Sequence, residues 1–325
     1  MTESALTAEQ TEAAIGEMLA GNTAPADIIK FLVTLADRGE TVPEIVGAAR
    51  ALRRHVSGII PPLDAIDCCG TGGDGRHTLN ISTAVALVVA ACGVPVAKHG
   101  NRASSSKCGA ADVLEALDIP LDVSIEKLED ALVQTKFCFL MAPLHHRAMA
   151  HVAAARKSLG RRTIFNLLGP LANPASVKRQ MVGVFAPAYI RPMAEALRML
   201  GSKSAWVVHG DGMDEISLSG PTNIAILGKD GTITEQTLTH ASFGLNQVNA
   251  DDLRGDDADY NAKALAALLN GKHDAYRDTV LANTAAVLVM AGNAPNLLAG
   301  VTLAAAAIDE GRALNILNQY RTRVS

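Results

Sequence analysis

Gly70-Thr71-Gly72-Gly73-Asp74-Gly75 is the first stretch of this chain with evident chemistry. Glycines admit positive φ and close approach of a ligand to the backbone, and successive N–H groups in such a loop form an anion nest. The loop follows a short apolar run, Ala65 to Cys69, and precedes an apolar segment of helical length, Ala84 to Cys92. Asn80-Ile81-Ser82-Thr83 stands where that helix starts, with free backbone N–H groups that suit an anion. A hydroxyl there equally fits an ordinary N-cap. Gly70, Gly72 and Gly75 also match the dinucleotide pattern G-x-G-x-x-G, which requires an acidic partner for the ribose about twenty residues on. Here the next strand candidate, Val94 to Ala97, runs into Lys98-His99. A basic strand end favours phosphate over a ribose diol.

Two further clusters fall at strand ends. Lys98, Asn101, Arg102, Ser104, Ser105 and Ser106 fill the loop after the second strand candidate, and Asp214-Glu215 follow Ala205–Val208 and Gly210-Asp211-Gly212. Polar loops at the carboxyl ends of neighbouring parallel strands are where an open α/β sheet holds its ligand. Adjacent carboxylates suit Mg²⁺, which takes few carboxylates plus phosphate oxygens and water, although an Asp-Glu pair also fits a plain solvated turn. Arg156 lies in a helical stretch, where a surface charge is the ordinary reading, but its guanidinium fork suits a carboxylate ligand. His145, His146 and His151 are read as a helix start and surface, because no Cys or carboxylate joins them at metal-ligand spacing. Trp206 is read as core.

These residues must be held by elements that the rest of the sequence supplies. The first sixty or so residues read as short helices, with capping boxes at Thr7–Gln10 and Thr41–Glu44, C-cap glycines at Gly21 and Gly39, and an apolar face of Ile28, Ile29, Phe31, Leu32 and Leu35. From residue 65 the character becomes strand, glycine loop, helix, strand, a βαβ unit. Further strands are expected at Arg162–Phe165, Met181–Val184, Ala205–Val208 and Ile224–Leu227, and terminal helices at Ala262–Leu269, Thr279–Gly292 and Asn296–Arg312. The expected fold is α/β: a small all-helical domain over residues 1–64, joined by a helical segment from mid-chain, on a larger domain over 65–325 with a mostly parallel sheet.

Composition limits the function classes. The 325 residues are 49% hydrophobic and 19% charged, with a formal net charge of −4, so the chain is globular and a poor default binder of nucleic acid. Aromatics are only 3%, which leaves few stacking platforms for bases. Five cysteines, two of them adjacent (Cys68 and Cys69), do not make a disulfide framework. The first ten residues lack a basic n-region and no apolar run is long enough to span a bilayer, so a reduced, cytoplasmic protein is expected.

In combination these motifs are specific. Asp67 with Gly70-Thr71-Gly72-Gly73-Asp74, Asn80-Ile81-Ser82-Thr83, Lys98-His99-Gly100-Asn101-Arg102, Ala111 to Leu117, Arg162-Thr163-Ile164-Phe165-Asn166, Leu168 to Pro174 and Gly212-Met213-Asp214-Glu215 resemble the anthranilate phosphoribosyltransferase family along nearly the whole chain. The resemblance implies a pyrimidine nucleoside phosphorylase-like fold and Mg²⁺-dependent transfer of phosphoribose from 5-phosphoribosyl 1-diphosphate to the amine of anthranilate, releasing pyrophosphate, in tryptophan synthesis. It implies a homodimer through the helical domain, with no role for nucleic acid or membrane. By position it places Gly70, Gly73, Asp74, Thr78, Asn80, Ile81, Ser82, Thr83 and Lys98, His99, Gly100, Asn101, Arg102, Ala103, Ser104, Ser105 and Ser106 on the phosphoribosyl diphosphate. It places Gly70, His99, Asn101, Arg156 and Pro170 on anthranilate, and Ser82, Asp214 and Glu215 on two Mg²⁺ ions. No residue is assigned as acid, base or nucleophile.

The chain departs from the family's usual residues at Cys108 and Ala110, both commonly serine, and at Asp118, usually glycine. A nucleoside phosphorylase, a non-catalytic nucleic-acid-binding relative and an NAD-linked oxidoreductase are the rival readings. The first would carry a different signature after Lys98, the second a basic surface, and the third an acidic ribose partner.

Overall fold

The computed structural model describes residues 4–103 and 106–325. Three helices come first: α1 (Ala8–Leu19), α2 (Pro25–Arg38) and α3 (Val42–Arg54). Both predicted capping boxes form, at Thr7 with Gln10 and at Thr41 with Glu44. Gly47 of α3 lies against the backbone of α1, and a Cβ there would collide with Ala8 and Thr11. Small size at that point is what lets α1 and α3 pack as a close pair.

Strands and helices then alternate. They are β1 (Ile66–Gly70), α4 (Ile81–Ala91), β2 (Val96–Gly100), α5 (Ala110–Glu115), α6 (Ile125–Thr135), β3 (Phe137–Met141), α7 (Ala142–His145), α8 (Ala150–Leu159), α9 (Phe165–Leu168), β4 (Arg179–Gly183), α10 (Ile190–Met199), β5 (Ser204–Gly210), β6 (Thr222–Leu227) and β7 (Ile233–Leu238). The chain closes with α11 (Ala258–Leu269), α12 (Ala275–Ala291), α13 (Leu297–Asp309) and α14 (Arg312–Val324).

The strands form one seven-stranded sheet in the order β3-β2-β1-β4-β5-β6-β7. Pairing is parallel from β3 to β5 and antiparallel from β5 to β7. The chain winds outward from β1 to β3 and returns to β4 on the other side. The crevice between the ends of β1 and β4 is thus a topological switch point, the favoured place for a ligand in such sheets.

The middle strands are buried on both faces, and alternate residues serve two cores. Met181, Trp206 and Val208 face a core shared with α4, α12, α13 and α14. Val182, Val184, Ala205 and Val207 face a second core, which they share with Ile15, Leu32 and Ile45 of the helical lobe and Val152 of α8. Helix α4 is buried from Thr83 to Ala90, which accounts for its all-round apolar sequence.

Several expectations change. Arg162–Phe165 is not a strand. The Asn166 side chain accepts from Thr163 N (3.0 Å) and Asn166 N bonds back to Thr163 O, so this β-branched run folds as a turn into α9. The apolar run Phe137–Met141 supplies β3 instead. Helix α4 begins at Ile81, earlier than the apolar periodicity suggests, because Asn80 is its N-cap.

Candidate active site

Two strands end in glycine for want of space. A Cβ on Gly70, at the end of β1, would strike the Asp214 carboxylate, and one on Gly183, at the end of β4, would strike the Asp214 backbone. Glycine at both positions lets the segment after β5 lie across the switch point. The nest beyond β1 needs positive φ as well: Gly72, Gly73 and Gly75 take 68°, 77° and 77°.

The loop is held from several sides. Thr71 N donates to Gly183 O (2.9 Å), and Phe185 N donates to Thr71 Oγ1 (3.0 Å). Gly72 N donates to Asp214 Oδ2 (2.7 Å), and Arg162 donates to Gly73 O. Asp74 accepts from Arg76 N and Asp214 N. Thr78 lines an adjacent cavity of about 230 Å³ with Gly75, Arg76, Met213 and Arg254.

Asp214 and Glu215 thus sit within the anion-binding elements. Burial raises the Asp214 carboxyl to about 7, with repulsion from Asp74 adding to it. Burial and the Asp214 charge raise Glu215 to about 8, against the pull of Lys98 and of the Ser82 N–H at the start of α4. Two adjacent carboxylates that the fold makes reluctant to ionise, beside the Ser82 hydroxyl, are a hard-oxygen set that a divalent cation would relieve. Among the described residues no three His, Cys, Asp or Glu side chains converge as a self-sufficient metal cage. The set therefore fits Mg²⁺ sharing oxygens with a bound phosphate.

The loop after β2 differs from its sequence reading in two respects. Lys98 is a buried strand residue and not a loop cation: its Nζ donates to Cys68 O (2.9 Å) and to Ser82 Oγ (3.1 Å). Alternation along β2 turns it inward, so it ties β1 to the start of α4. Arg102 is exposed, but its guanidinium is held by Asp112 and Glu115. Asn101 Oδ1 caps Arg102 N (2.8 Å), and Ala103 N is held by Asp112 (2.8 Å). Gly100 packs so closely on Phe139 and Ala110 that a side chain has no room. Ser106 bonds to Cys108 O (3.2 Å); Ser104 and Ser105 lie outside the described residues.

Side chains from scattered segments build the other wall. His99 Nδ1 faces Gly169 O at 3.0 Å, so it carries the proton, and buried Nε2 is left as an acceptor with no partner among the described residues. The His146 ring lies 5.1 Å from it, centroid to centroid. His145 and His146 are buried, contrary to the surface reading, because the chain after β3 is held against Ser57, which bonds both the carbonyl (2.9 Å) and the Nδ1 (2.6 Å) of His145; His151 is exposed as expected. Burial, with repulsion from His146, holds His99 at about 3, and burial, with repulsion from His145, holds His146 at about 4.

Pro170 is buried next to Gly169, in a turn whose carbonyls are gripped in sequence. Gln180 holds Pro170 O (2.7 Å), and Arg53 of α3 holds Leu171 O (2.6 Å). Asn173 ties the turn to buried Asp67 (2.7 Å) and to Ala97 O (2.8 Å). Arg156 is half-buried on α8 over the Phe165 ring, 5.2 Å from its centroid, with no carboxylate partner among the described residues.

Arg53 and Gln180 were not singled out in the sequence, His146 was read as surface, and Asn173 entered only as part of the Leu168–Pro174 motif. Asn261 and Tyr276 belong with them, because they hold the Asn80 side chain (2.9 Å) and carbonyl (3.0 Å). The departures also acquire a setting. Cys108 Sγ approaches Asn80 Oδ1 (3.4 Å), and Ala110 opens α5 beneath Gly100. Asp118 takes φ 58°, which is why glycine suits that position.

This two-lobed arrangement defines a class. Residues 1–56 match the helical bundle domain of the glycosyl transferase family, and residues 63–314 match that family's a/b domain. An anthranilate phosphoribosyltransferase from Novosphingobium aromaticivorans is 54% identical over 310 residues, 95% of this chain and 94% of its own. One from Rhizobium meliloti is 52% identical over 98% of this chain and 94% of its own. The crystal structure of the Thermus thermophilus enzyme superposes with a TM-score of 0.95 at 40% identity, covering 99% and 97% of the two chains. The Saccharomyces cerevisiae enzyme, in complex with PRPP and Mg, gives 0.90 at 29% identity, covering 98% and 93%. The chain belongs to the anthranilate phosphoribosyltransferase family.

Proposed function

We infer that the crevice at the switch point is the active site of an anthranilate phosphoribosyltransferase. The enzyme transfers the phosphoribosyl group of 5-phosphoribosyl 1-diphosphate to the amine of anthranilate, giving N-(5-phosphoribosyl)anthranilate and pyrophosphate. The observation that carries the residue assignment is the contact of the glycine loop with Asp214 at the ends of β1 and β4; a half-buried Arg156, free of any carboxylate among the described residues, supports the acceptor side.

On the donor side, the backbone of Gly70, Gly73 and Asp74 and of Ile81 and Ser82 in the first turn of α4 faces the diphosphate, with Thr78, Asn80 and Thr83 beside it. The loop from His99 to Ser106 holds the phosphoribosyl end, and Lys98 acts from below by fixing Ser82. Asp214, Glu215 and the Ser82 hydroxyl hold Mg²⁺, two ions on this reading. Bound there, the metal neutralises charge on the departing pyrophosphate.

On the acceptor side, Arg156 takes the anthranilate carboxylate in a bidentate pair. Gly70, His99, Asn101 and Pro170 enclose the ring. The aryl amine is neutral near pH 7, so the protein need not generate a nucleophile. It works by placing the amine against the anomeric carbon and by stabilising charge as the glycosidic C–O bond breaks. The helical lobe over residues 1–64 carries Arg53 to the Pro170 turn and, on this reading, also forms a homodimer contact. No helix among the described residues is long and apolar enough to cross a membrane, and a cytoplasmic setting fits the substrates.

Loss of anthranilate fluorescence on adding phosphoribosyl diphosphate tests the reaction. A Mg²⁺-dependent loss with stoichiometric pyrophosphate release is expected. Phosphate-dependent cleavage of thymidine or uridine, with no anthranilate consumed, would replace this reading by a nucleoside phosphorylase.

A further inference from the structure

Arg162 is a cation with an unusual set of neighbours. It leaves the turn between α8 and α9 and donates to Gly73 O, in the middle of the glycine loop. Its guanidinium lies over the Phe185 ring, 4.4 Å from the centroid. Adjacent Arg161 is paired with Asp37 (2.7 Å), whereas no carboxylate among the described residues pairs with Arg162. Its charge is directed at the loop.

Phe185 is a fixed shelf. Its N–H holds Thr71 Oγ1 (3.0 Å), and its ring meets Tyr189 edge-on at 5.1 Å. The Tyr189 hydroxyl in turn bonds to Glu40 (2.8 Å), between α2 and α3 of the helical lobe. The inner half of the loop is tied to the sheet through Thr71 and Gly72. Gly73, at the outward bend, has Arg162 as its hold. The Gly73 carbonyl and the Asp74 N–H share one trans peptide and point opposite ways, so drawing the carbonyl outward turns that N–H inward, as a nest requires. A guanidinium stacked on an aromatic face is also pre-oriented, which a lysine on the same backbone is not.

We propose that Arg162 is a positioning residue for the diphosphate end of the donor. Braced on Phe185, it fixes the Gly73 carbonyl so that the loop N–H groups face the ligand, and it brings an uncompensated positive charge beside them. This rests on the reading of the glycine loop as the diphosphate site.

The test uses Arg162→Gln, Arg162→Lys and Phe185→Leu in the full-length enzyme. Steady-state constants are read for each substrate, together with calorimetric binding of inorganic pyrophosphate with Mg²⁺. Arg162→Gln should raise the donor KM and the pyrophosphate Kd about tenfold, as expected for one charge-assisted contact, with the anthranilate KM within about twofold. Arg162→Lys should recover part of the loss. Phe185→Leu should fall between Gln and wild type, because it removes the shelf and keeps the charge. Melting temperatures should stay close to wild type for the exposed Arg162 variants. Equal rises in both KM values, or an unchanged pyrophosphate Kd, would overturn the proposal. Ser82→Ala separates the two levels. If it weakens donor binding and Arg162→Gln does not, this inference alone fails. If neither does, the donor-site reading fails with it.

Discussion

At the ends of β1 and β4 the chain keeps side chains out, and backbone N–H groups and two carboxylates occupy the space. Around Gly169 and Pro170, by contrast, side chains from β2, α3 and β4 meet the turn, and His99 Nε2 and both ring nitrogens of nearby His146 have no partner among the described residues. On the proposed reading the first region is the donor wall and the second the acceptor wall; the donor wall is specified by short contiguous runs with strict backbone demands. The acceptor wall is specified by tertiary packing. A backbone-built wall tolerates few substitutions but needs few residues, whereas the side-chain wall is assembled residue by residue and can be altered piecemeal.

The largest test of this contrast removes the donor wall's charge. Asp214→Asn with Glu215→Gln should lower turnover about a hundred- to a thousandfold and abolish the stabilisation by added Mg²⁺, read as turnover and melting temperature across a metal titration. Wild-type turnover at limiting Mg²⁺ would show that the metal is held elsewhere. Arg156→Ala attacks the other wall. It should raise the anthranilate KM about ten- to a hundredfold and leave the donor KM nearly unchanged, because one bidentate pair is lost. A change in both constants would mean that the walls are not separable.

The pH dependence sharpens the comparison further. His99 and His146 are held far below the ordinary histidine value by burial, so the unfolded chain binds their protons first. Stability should be fully present above about pH 6.5 and fall as the pH drops towards 4, by up to about 1.4 kcal/mol per pH unit for each histidine. His146→Gln should flatten that slope in denaturant midpoints measured between pH 4 and 7. The smallest effect lies outside both walls. Asp118→Gly should stabilise the fold by about 0.5 kcal/mol, by relieving a left-handed backbone, with unchanged kinetic constants.

Legibility in the sequence followed the same division. Gly70 to Gly75 and Asn80 to Thr83 could be read because a strand-to-helix nest imposes residue types at fixed spacing. The N-terminal helices were legible from Thr7–Gln10 and Thr41–Glu44, whose caps are local. Strand β3 was not, because Phe137–Met141 is a uniform apolar run without alternation, and Arg162–Phe165 carried strand propensity that the Asn166 side chain overrode. His146 could not be separated from a surface histidine, since its burial depends on where α7 turns. Lys98 looked like a phosphate cation by type; only the pairing of β1 with β2 and α4 turns it inward.

The bond from Gly72 N–H to Asp214 has a thermodynamic consequence. The glycine loop already holds an oxygen ligand, and it belongs to the chain itself. On the proposed reading, a diphosphate reaching that N–H exchanges one oxygen ligand for another, so this contact yields little net affinity for a metal-free donor. The carboxyl set free is one of the two proposed to accept the cation. On that reading donor and cation are linked ligands, each tightening the other by the same factor, because the donor frees the acid that the cation takes up.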